Sequence, residues 1–196
     1  MDRKLSGRKV AILVADGFEQ VEMTEPRRAL DEAGATTEIV SPAGRQVRGW
    51  NSTEWGDRFP VDVALDDAQA DRYDALLLPG GVMNPDKLRR MPEVWDFVRG
   101  FFEAGKPVAA ICHAPWTLID CGLVKDRRLT SYHTIQTDLK NAGARWVDEE
   151  VVVDNGLVTS RKPDDLPAFN RKMIEEFAEG RHAPVAAGAS TTQARR

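Results

Sequence analysis

The sequence has few cysteines and no long apolar run, and both scarcities exclude classes of protein. Its 196 residues include two cysteines, Cys112 and Cys121. Their spacing is neither a CxxC redox motif nor a metal-ligand pair, and two cysteines do not make a disulfide scaffold. No apolar stretch approaches the roughly 18 residues that a membrane span needs. We therefore expect neither a disulfide-stabilised fold nor a membrane protein.

The sequence also lacks the charge pattern of a nucleic-acid-binding protein. The formal net charge is -4, and no cluster of Lys and Arg occurs in the body of the chain. Residues 1–8 are polar and show no apolar segment of a secretory signal. Nucleotide-binding glycine motifs, HExxH and metal-ligand spacings are missing. These absences predict a cytoplasmic protein that uses no metal or cofactor and binds no membrane and no specific nucleic acid.

Strand-like and helix-like segments alternate along the chain, which predicts an α/β fold. Short apolar runs that are typical of buried parallel strands occur at 9–15, 75–78 and 108–111. Amphipathic helices are predicted at 19–33, 92–104, 114–121, 134–142 and 163–178. Because parallel strands joined by helices form right-handed βαβ units, we expect a three-layer α/β/α sandwich, flavodoxin-like, with a mostly parallel central sheet.

Two segments are predicted to leave this regular pattern. Residues 46–49 and 58–63 resemble short strands of a hairpin set apart from the main sheet. Asp154-Asn155-Gly156 is a tight-turn signal between two further strands. We expect one α/β domain over residues 1–180, and a flexible or docking tail over residues 181–196.

Cys112 follows the apolar strand that ends at Ile111 and precedes a helix, and this position favours a reactive thiol. Open α/β sheets place their active sites at the carboxyl ends of strands. A helix N-terminus there stabilises a thiolate. The alternative is a small buried hydrophobic residue, because free cysteines often lie in protein cores.

Two further features follow predicted parallel strands and should meet Cys112 at the same edge of the sheet. The amides of Gly80 and Gly81, with the amide of His113, are candidates for an oxyanion hole; the alternative is an ordinary turn. Glu19 is the nearest candidate carboxyl by topology, and burial beside the sulfur would keep it partly protonated. Alternatively, Glu19 is an acidic residue that stabilises the N-terminus of the helix, a role that Glu22 and Glu25 could also fill.

His113 is the candidate base, although side chains of adjacent residues diverge and its ring must fold back to reach the sulfur. It would then need an acidic partner to orient it, and Asp86 or a carboxylate from a neighbouring subunit fits that role. His133 and His182 are alternative bases.

Several segments together resemble a known family. They are Asp16-Gly17-Phe18-Glu19-Gln20-Val21-Glu22, Leu78-Pro79-Gly80-Gly81, Gly105 to Pro115, Thr130-Ser131-Tyr132 and Ala142 to Asp148. Over roughly residues 8–178 the chain resembles the PfpI-type intracellular cysteine peptidases, within the parkinsonism-associated deglycase superfamily and the class I glutamine amidotransferase-like fold. Residues 55–62 are similar to a subgroup of general stress proteins.

This resemblance implies roles for individual residues. Cys112 would be the nucleophile on a strained elbow, Glu19 the carboxyl that contacts its sulfur, and His113 the partner. Asp86 matches best the acid that orients the histidine from an adjacent subunit, and Tyr132 matches a residue lining the site. The resemblance therefore implies a homodimer or higher oligomer with a site completed across the interface.

The resemblance leaves several activities open. We expect first a stress-protective, cysteine-dependent hydrolase or lyase acting on glyoxal or methylglyoxal adducts, as a deglycase or glyoxalase. The second expectation is an intracellular cysteine peptidase that is active as an oligomer and takes peptides. A third, of another class, is a non-enzymatic redox sensor or chaperone in which Cys112 is oxidised.

Overall fold

The protein is described by a computed structural model over residues 4–184. Strands occupy β1 (Lys9–Leu13), β2 (Phe18–Glu19), β3 (Thr36–Ser41), β4 (Gln46–Asn51), β5 (Glu54–Pro60), β6 (Val63–Ala64), β7 (Ala75–Leu78), β8 (Val108–Ile111), β9 (Arg128–Leu129), β10 (Arg145–Trp146), β11 (Val151–Asp154) and β12 (Leu157–Ser160). Helices occupy α1 (Gln20–Glu32), α2 (Met83–Leu88), α3 (Pro92–Glu103), α4 (Pro115–Asp120), α5 (Gln136–Asn141) and α6 (Leu166–Glu179).

A seven-stranded sheet forms the middle layer, with the order β11-β12-β8-β7-β1-β3-β6. Neighbouring strands are parallel except for the antiparallel pair β11 and β12. Strands β1, β7 and β8 lie in its centre, and their apolar sequences are buried on both faces. The predicted three-layer, mostly parallel α/β fold is confirmed.

Side chains of β1 alternate between the two apolar cores that hold the helices on the sheet. Ala11 and Leu13 face one core, which contains the apolar faces of α3, α4 and α5. Val10 and Ile12 face the other, which contains those of α1 and α6. Burial on both faces excludes water from the sheet centre, so the strand ends, where the layers part, are left to form a site.

Three strands form a small second sheet over one end of the first. Strands β4 and β5 are an antiparallel hairpin, and β2 pairs with β4 in parallel. The predicted separate hairpin is confirmed, although its second strand begins at Glu54 rather than at residue 58. The cause is the turn at Ser52, whose φ of 56° reverses the chain early.

The second predicted hairpin is also present. Strands β11 and β12 are joined by Asn155 and Gly156, with φ angles of 45° and 78°. Left-handed conformations at both positions are those of a type I′ turn, which matches the twist of the flanking strands.

After α6, residues 181–184 continue without regular secondary structure and contact the domain. The N–H of His182 donates to the carbonyl oxygen of Gly105 at 2.7 Å, and the side-chain amide of Asn155 donates to the carbonyl oxygen of Ala183 at 3.1 Å. The start of the predicted tail thus docks on the domain, while the rest of it, 185–196, lies outside the described residues. Across the described residues, none of the helices combines the length and apolar character of a membrane span.

Candidate functional site

Cys112 occupies the turn between β8 and α4 in a left-handed conformation, with φ of 64°. Such a conformation is unusual for a residue with a side chain and persists where the surroundings impose it. Here both of its backbone groups are held: its N–H donates to Ser160 at 3.0 Å, and its carbonyl oxygen accepts from Tyr132 at 2.9 Å. The side chain therefore projects at the carboxyl edge of the sheet, where it is 6% exposed.

The carboxyl group beside the Cys112 thiol belongs to Glu22: its Oε2 and the Cβ of Cys112 both lie within 2.6 Å of the point that a Cβ on Gly80 would occupy. Glu22 is fully buried on the first turn of α1, and its Oε2 accepts the N–H of Gly80 at 3.0 Å. Burial and, to a lesser extent, the charge of Glu19 raise the pKa of Glu22 to about 8. Its Oε1 is buried without a hydrogen-bond partner among the described residues, so a negative charge on this carboxyl would be poorly stabilised. At neutral pH Glu22 is therefore mainly a neutral proton donor.

The expectation that Glu19 contacts the sulfur is wrong. Glu19 is half-buried at the rim, and its Oε1 accepts the N–H of Ser52 at 3.3 Å. Burial raises its pKa, and the hydrogen bond from Ser52 opposes that rise. The reason for the difference is helical geometry: Glu22 lies inside α1 on the face that also carries buried Met23 and Pro26, whereas Glu19 precedes the helix.

The two glycines after β7 both direct their amides into the site. The N–H of Gly81 is hydrogen-bonded to the Cys112 sulfur, as is the N–H of His113. The N–H of Gly80 is bonded to Glu22 instead, so its predicted place in an oxyanion hole is corrected to that of a carboxyl anchor. A Cβ on Gly80 would lie 2.6 Å from the Cβ of Cys112, so only glycine permits this approach.

The surroundings of Cys112 have opposing effects on the pKa of its thiol. Burial, and then the charge of Glu22, raise the pKa of the Cys112 thiol above its ordinary value. The hydrogen bonds from the amides of Gly81 and His113 lower it. Protonation of Glu22 removes the opposing charge, so the thiol of Cys112 loses its proton more easily while the carboxyl keeps its own.

The ring of His113 does fold back to the sulfur. Its Nδ1 lies 3.1 Å from the sulfur of Cys112, and its Nε2 lies 3.2 Å from Oγ1 of Thr134. Tyr132 stacks on the ring at a centroid distance of 4.8 Å. Burial, with a contribution from His133, lowers the pKa of His113 to about 4. A neutral ring with its proton on Nε2 donates to Thr134 and leaves Nδ1 free to accept the thiol proton.

Asp86 does not reach this histidine within the chain. It is exposed on α2, outside the cavity that His113 lines, and the group bonded to the ring is Thr134. The suggestion that Asp86 acts across a subunit interface stays a prediction. The alternative bases also lie apart from the sulfur: His133 stacks against Tyr132, and His182 lies 3.2 Å from Glu176 beside the end of α6.

A buried asparagine that the sequence analysis missed ties two strand ends together behind the glycines. Oδ1 of Asn84 accepts the N–H of Ala15 at 2.7 Å, after β1. Its Nδ2 donates to the carbonyl oxygens of Pro79 and Gly80 at 2.8 and 3.2 Å, after β7. Asn84 is 1% exposed and thereby fixes the peptide units whose amides serve Glu22 and Cys112.

These groups line a cavity of about 610 Å³, a volume that suits a small molecule or a side chain. Its floor is formed by Cys112, His113 and Glu22, and Tyr132 lies on one wall as the resemblance implied. The hairpin β4–β5 contributes Trp50 and Ser52 to the lining. The lining residues are Gly17, Glu19, Glu22, Trp50, Ser52, Gly81, Val82, Met83, Cys112, His113, Tyr132, Thr134 and Pro163.

The sequence carried a signal for Glu22 but not for Thr134. Buried positions in α1 are Glu22, Met23, Pro26 and Leu30, a helical stripe with an acid on it. A carboxyl on an apolar stripe indicates a buried, functional acid. Thr134 follows Tyr132 in a 3-10 turn, and no pattern in the sequence distinguishes its hydroxyl from others.

Comparison with known proteins gives the family. The sequence model of the DJ-1/PfpI family matches residues 8–176. A Bacillus subtilis (strain 168) protein named "Putative cysteine protease YraA" is 45% identical over 168 residues, which are 85% of this chain and 96% of that protein. An uncharacterized Staphylococcus epidermidis protein, SERP1413, is 45% identical over 173 residues, which are 87% and 98% of the two chains.

Solved structures agree with these matches. A two-domain Anabaena variabilis protein with dj-1/thij/pfpi-like and ferritin-like domains superposes with a TM-score of 0.81 at 36% identity, over 86% of this chain and 47% of that one. This chain thus spans about half of that protein. Drosophila melanogaster DJ-1beta superposes with a TM-score of 0.80 at 29% identity, over 87% and 90% of the two chains. On the family model and these identities, the chain belongs to the DJ-1/PfpI family.

Proposed function

We propose that this protein is a cofactor-independent, cysteine-dependent enzyme that converts small α-oxoaldehydes or their adducts, as a glyoxalase or deglycase does. One observation carries the proposal: the thiol of Cys112 is in contact with a neutral base, His113, and with a protonated acid, Glu22. Nucleophile, base and acid meet at the floor of one cavity of small-molecule size.

The first step is addition of the sulfur to the aldehyde carbon. As the S–C bond forms, the thiol proton passes to Nδ1 of His113, and the carbonyl oxygen takes the proton of Glu22. The amides of Gly81 and His113 stabilise the negative charge that develops on the sulfur as its proton leaves. The product is a neutral hemithioacetal on Cys112, with an ionised Glu22 and a protonated His113.

The second step moves a hydrogen between the two carbons. The carboxylate of Glu22 removes the proton from the former aldehyde carbon and returns it to the neighbouring carbon, while His113 moves a proton between the two oxygens. This gives a thioester, which water hydrolyses to the 2-hydroxy acid and free thiol. Methylglyoxal and water thereby give lactate, with no net oxidation or reduction.

The test is lactate formation from methylglyoxal without glutathione by the purified chain. We expect turnover by the wild type and its loss in Cys112→Ala, with Cys121→Ala as the matched control that retains it, because Cys121 is buried away from the cavity. Lactate formation that survives Cys112→Ala would refute the mechanism. No turnover of methylglyoxal or of glyoxal-treated peptides by the folded wild type would refute the function.

A second candidate is a cysteine peptidase, and it is favoured by the name of the Bacillus subtilis relative. The same thiol and histidine could attack an amide carbonyl. A panel of fluorogenic peptides, tested on wild type and Cys112→Ala across the oligomers separated by gel filtration, distinguishes it. Peptide cleavage that depends on Cys112, without lactate formation, would replace the first proposal by this one.

A further inference from the structure

Glu19 lines the cavity but takes no part in the proposed reaction. It occupies the N-cap position of α1, but its side chain makes no capping hydrogen bond. The carboxyl turns away from the helix to the N–H of Ser52 and lines the cavity. A helix-start acid would be expected to face the amides of its own helix. This carboxyl faces the space in which a substrate would bind.

Trp50 stands beside Glu19 because the two residues are paired in register in the parallel ladder of β2 and β4. Its indole N–H donates to the carbonyl oxygen of Ser52 at 2.9 Å, and its ring meets Trp55 edge-on at a centroid distance of 5.5 Å. These contacts fix the indole next to the carboxyl on the same wall of the cavity.

The hairpin that carries Trp50 is tied to the start of α1. Nε2 of Gln20 donates to Asp57 at 2.8 Å, and the N–H of Asp57 donates to Oε1 of Gln20 at 2.7 Å. Gly49 and Gly56 leave room for this side chain, since a Cβ at either would meet it at 3.0 Å or less. The wall is therefore built into the fold and does not depend on a bound ligand.

The charges around the cavity favour a cation. The ionisable side chains that line it, among residues 4–184, are acids and histidine, cysteine and tyrosine, with no Lys or Arg. Nearby basic groups are engaged elsewhere: Arg48 donates to Gly56 and packs over Trp55, and Lys87 donates to the carbonyl oxygen of Asp16. A carboxylate next to an indole face is an arrangement that binds ammonium and guanidinium groups.

We propose that Glu19 and Trp50 form a subsite for a positively charged group, so that this cavity selects substrates with an ammonium or guanidinium close to the reactive carbonyl. The inference rests on the proposed function in so far as it calls the bound molecule a substrate. The charge preference of the cavity is independent of turnover. The carboxylate of Glu19 binds the cationic group, and the indole ring of Trp50 packs against that group. The reactive carbonyl of the substrate is thereby directed to Cys112.

The experiment measures how fast Cys112 reacts with methanethiosulfonates of different charge. Each reagent forms a mixed disulfide with the thiolate and releases methanesulfinate, so the rates need no enzymatic activity. The cationic reagent carries a trimethylammonioethyl group, the anionic one a sulfonatoethyl group and the neutral one a methyl group. Rates are followed by intact mass and divided by those of a small free thiol, and Cys112→Ser measures any reaction at Cys121.

We expect the cationic reagent to react roughly tenfold faster than the anionic one after this correction. Glu19→Gln, which keeps an oxygen for Ser52, should reduce the ratio to nearly that of the free thiol. Glu54→Gln, at an exposed carboxyl on the same hairpin outside the cavity, should leave it unchanged. Trp50→Leu should lower the cationic rate about two- to fivefold relative to the neutral one.

Equal rates for the two charged reagents in the wild type would overturn the subsite. So would an unchanged ratio in Glu19→Gln. A folded protein that makes no lactate but keeps the charge ratio would refute the proposed function and leave the subsite standing, so the two failures are distinguishable.

Discussion

The carboxyl of Glu22 lies beside the thiol of Cys112, where its Oε2 accepts the N–H of Gly80 at 3.0 Å. The two groups come from different strand–helix units, because Glu22 follows β1 and Cys112 follows β8. Burial makes them a coupled pair, since neither can ionise without affecting the other. The pair explains why the reactivity of Cys112 should depend on a proton that another residue carries.

The first prediction concerns the pH dependence of turnover. Glu22 acts as an acid with a pKa of about 8, and His113 as a base with a pKa of about 4. We expect kcat/KM to be highest between these values, to fall above pH about 8 as Glu22 loses its proton, and to fall below about 4 as His113 gains one. Initial rates of lactate formation across this range measure the profile.

Glu22→Gln tests whether Glu22 is the acid that causes the decline of the profile near pH 8. The amide still accepts the N–H of Gly80 but delivers no proton, so we expect kcat to drop by about 10²- to 10⁴-fold and the decline near pH 8 to disappear. Glu103→Gln, at an exposed carboxyl on α3, is the control and should behave as wild type. A variant that keeps both rate and profile would remove Glu22 from the chemistry.

The second prediction concerns stability. The pKa of Glu22 is raised in the folded protein to about 8 from an ordinary value of 4.5, so the folded state holds the proton more tightly than the unfolded state. This contribution is complete below about pH 4.5 and is lost as pH rises to about 8. Relative to wild type, the free energy of unfolding of Glu22→Gln should rise by about 1.4 kcal/mol per pH unit across that window.

Urea denaturation at several pH values measures this difference. The free energy of unfolding of Glu103→Gln, a variant at an exposed position, should follow that of wild type across the pH range. A difference between Glu22→Gln and wild type that does not vary from pH 5 to pH 8 would show that the carboxyl is already ionised in the folded protein.

The third prediction concerns the hydroxyl bonded to His113. Thr134→Val removes the oxygen that lies 3.2 Å from Nε2 while keeping the shape of the side chain. We expect kcat to fall roughly fivefold, because one hydrogen bond of about 1 kcal/mol orients the ring and its tautomer. Thr36→Val, at an exposed position on β3, is the matched control. An unaltered kcat with unaltered pH limits would contradict an orienting role.

The fourth prediction compares two glycines with the same φ of 79°, Gly81 and Gly7. A Cβ on Gly7 meets nothing within 4 Å, so Gly7→Ala should cost only the roughly 1 kcal/mol of a left-handed conformation. A Cβ on Gly81 would lie 2.6 Å from the N atom of Glu19. Gly81→Ala should therefore destabilise by several kcal/mol and slow alkylation of Cys112, as thermal melts and iodoacetamide rates would show. Equal melting temperatures would contradict the steric argument.

Much of the fold could be predicted because its signals are local. The apolar run at 108–111 is a buried strand, the stripe of Val94, Phe97, Val98 and Phe101 packs α3, and Asn155-Gly156 makes its turn. Strand ends then placed Gly81, Cys112 and His113 at one edge by topology alone. Exact boundaries were less certain, as at β5, because hairpin length is decided by the backbone conformation at Ser52.

The order of apolar runs and helical stripes is enough to predict which segments meet at the site, since a parallel sheet brings the carboxyl ends of its strands to one edge whatever their side chains. It did not determine which of Glu19 and Glu22 reaches Cys112, nor that Thr134 rather than an acid meets His113. The first choice depends on the rotation of about 100° per residue along α1. The second depends on the turn that carries Thr134, which is distant from α1 in the sequence and packs beside His113. Only the tertiary structure fixes such angles, because side-chain contacts over a few ångströms are decided by packing and not by position in the sequence.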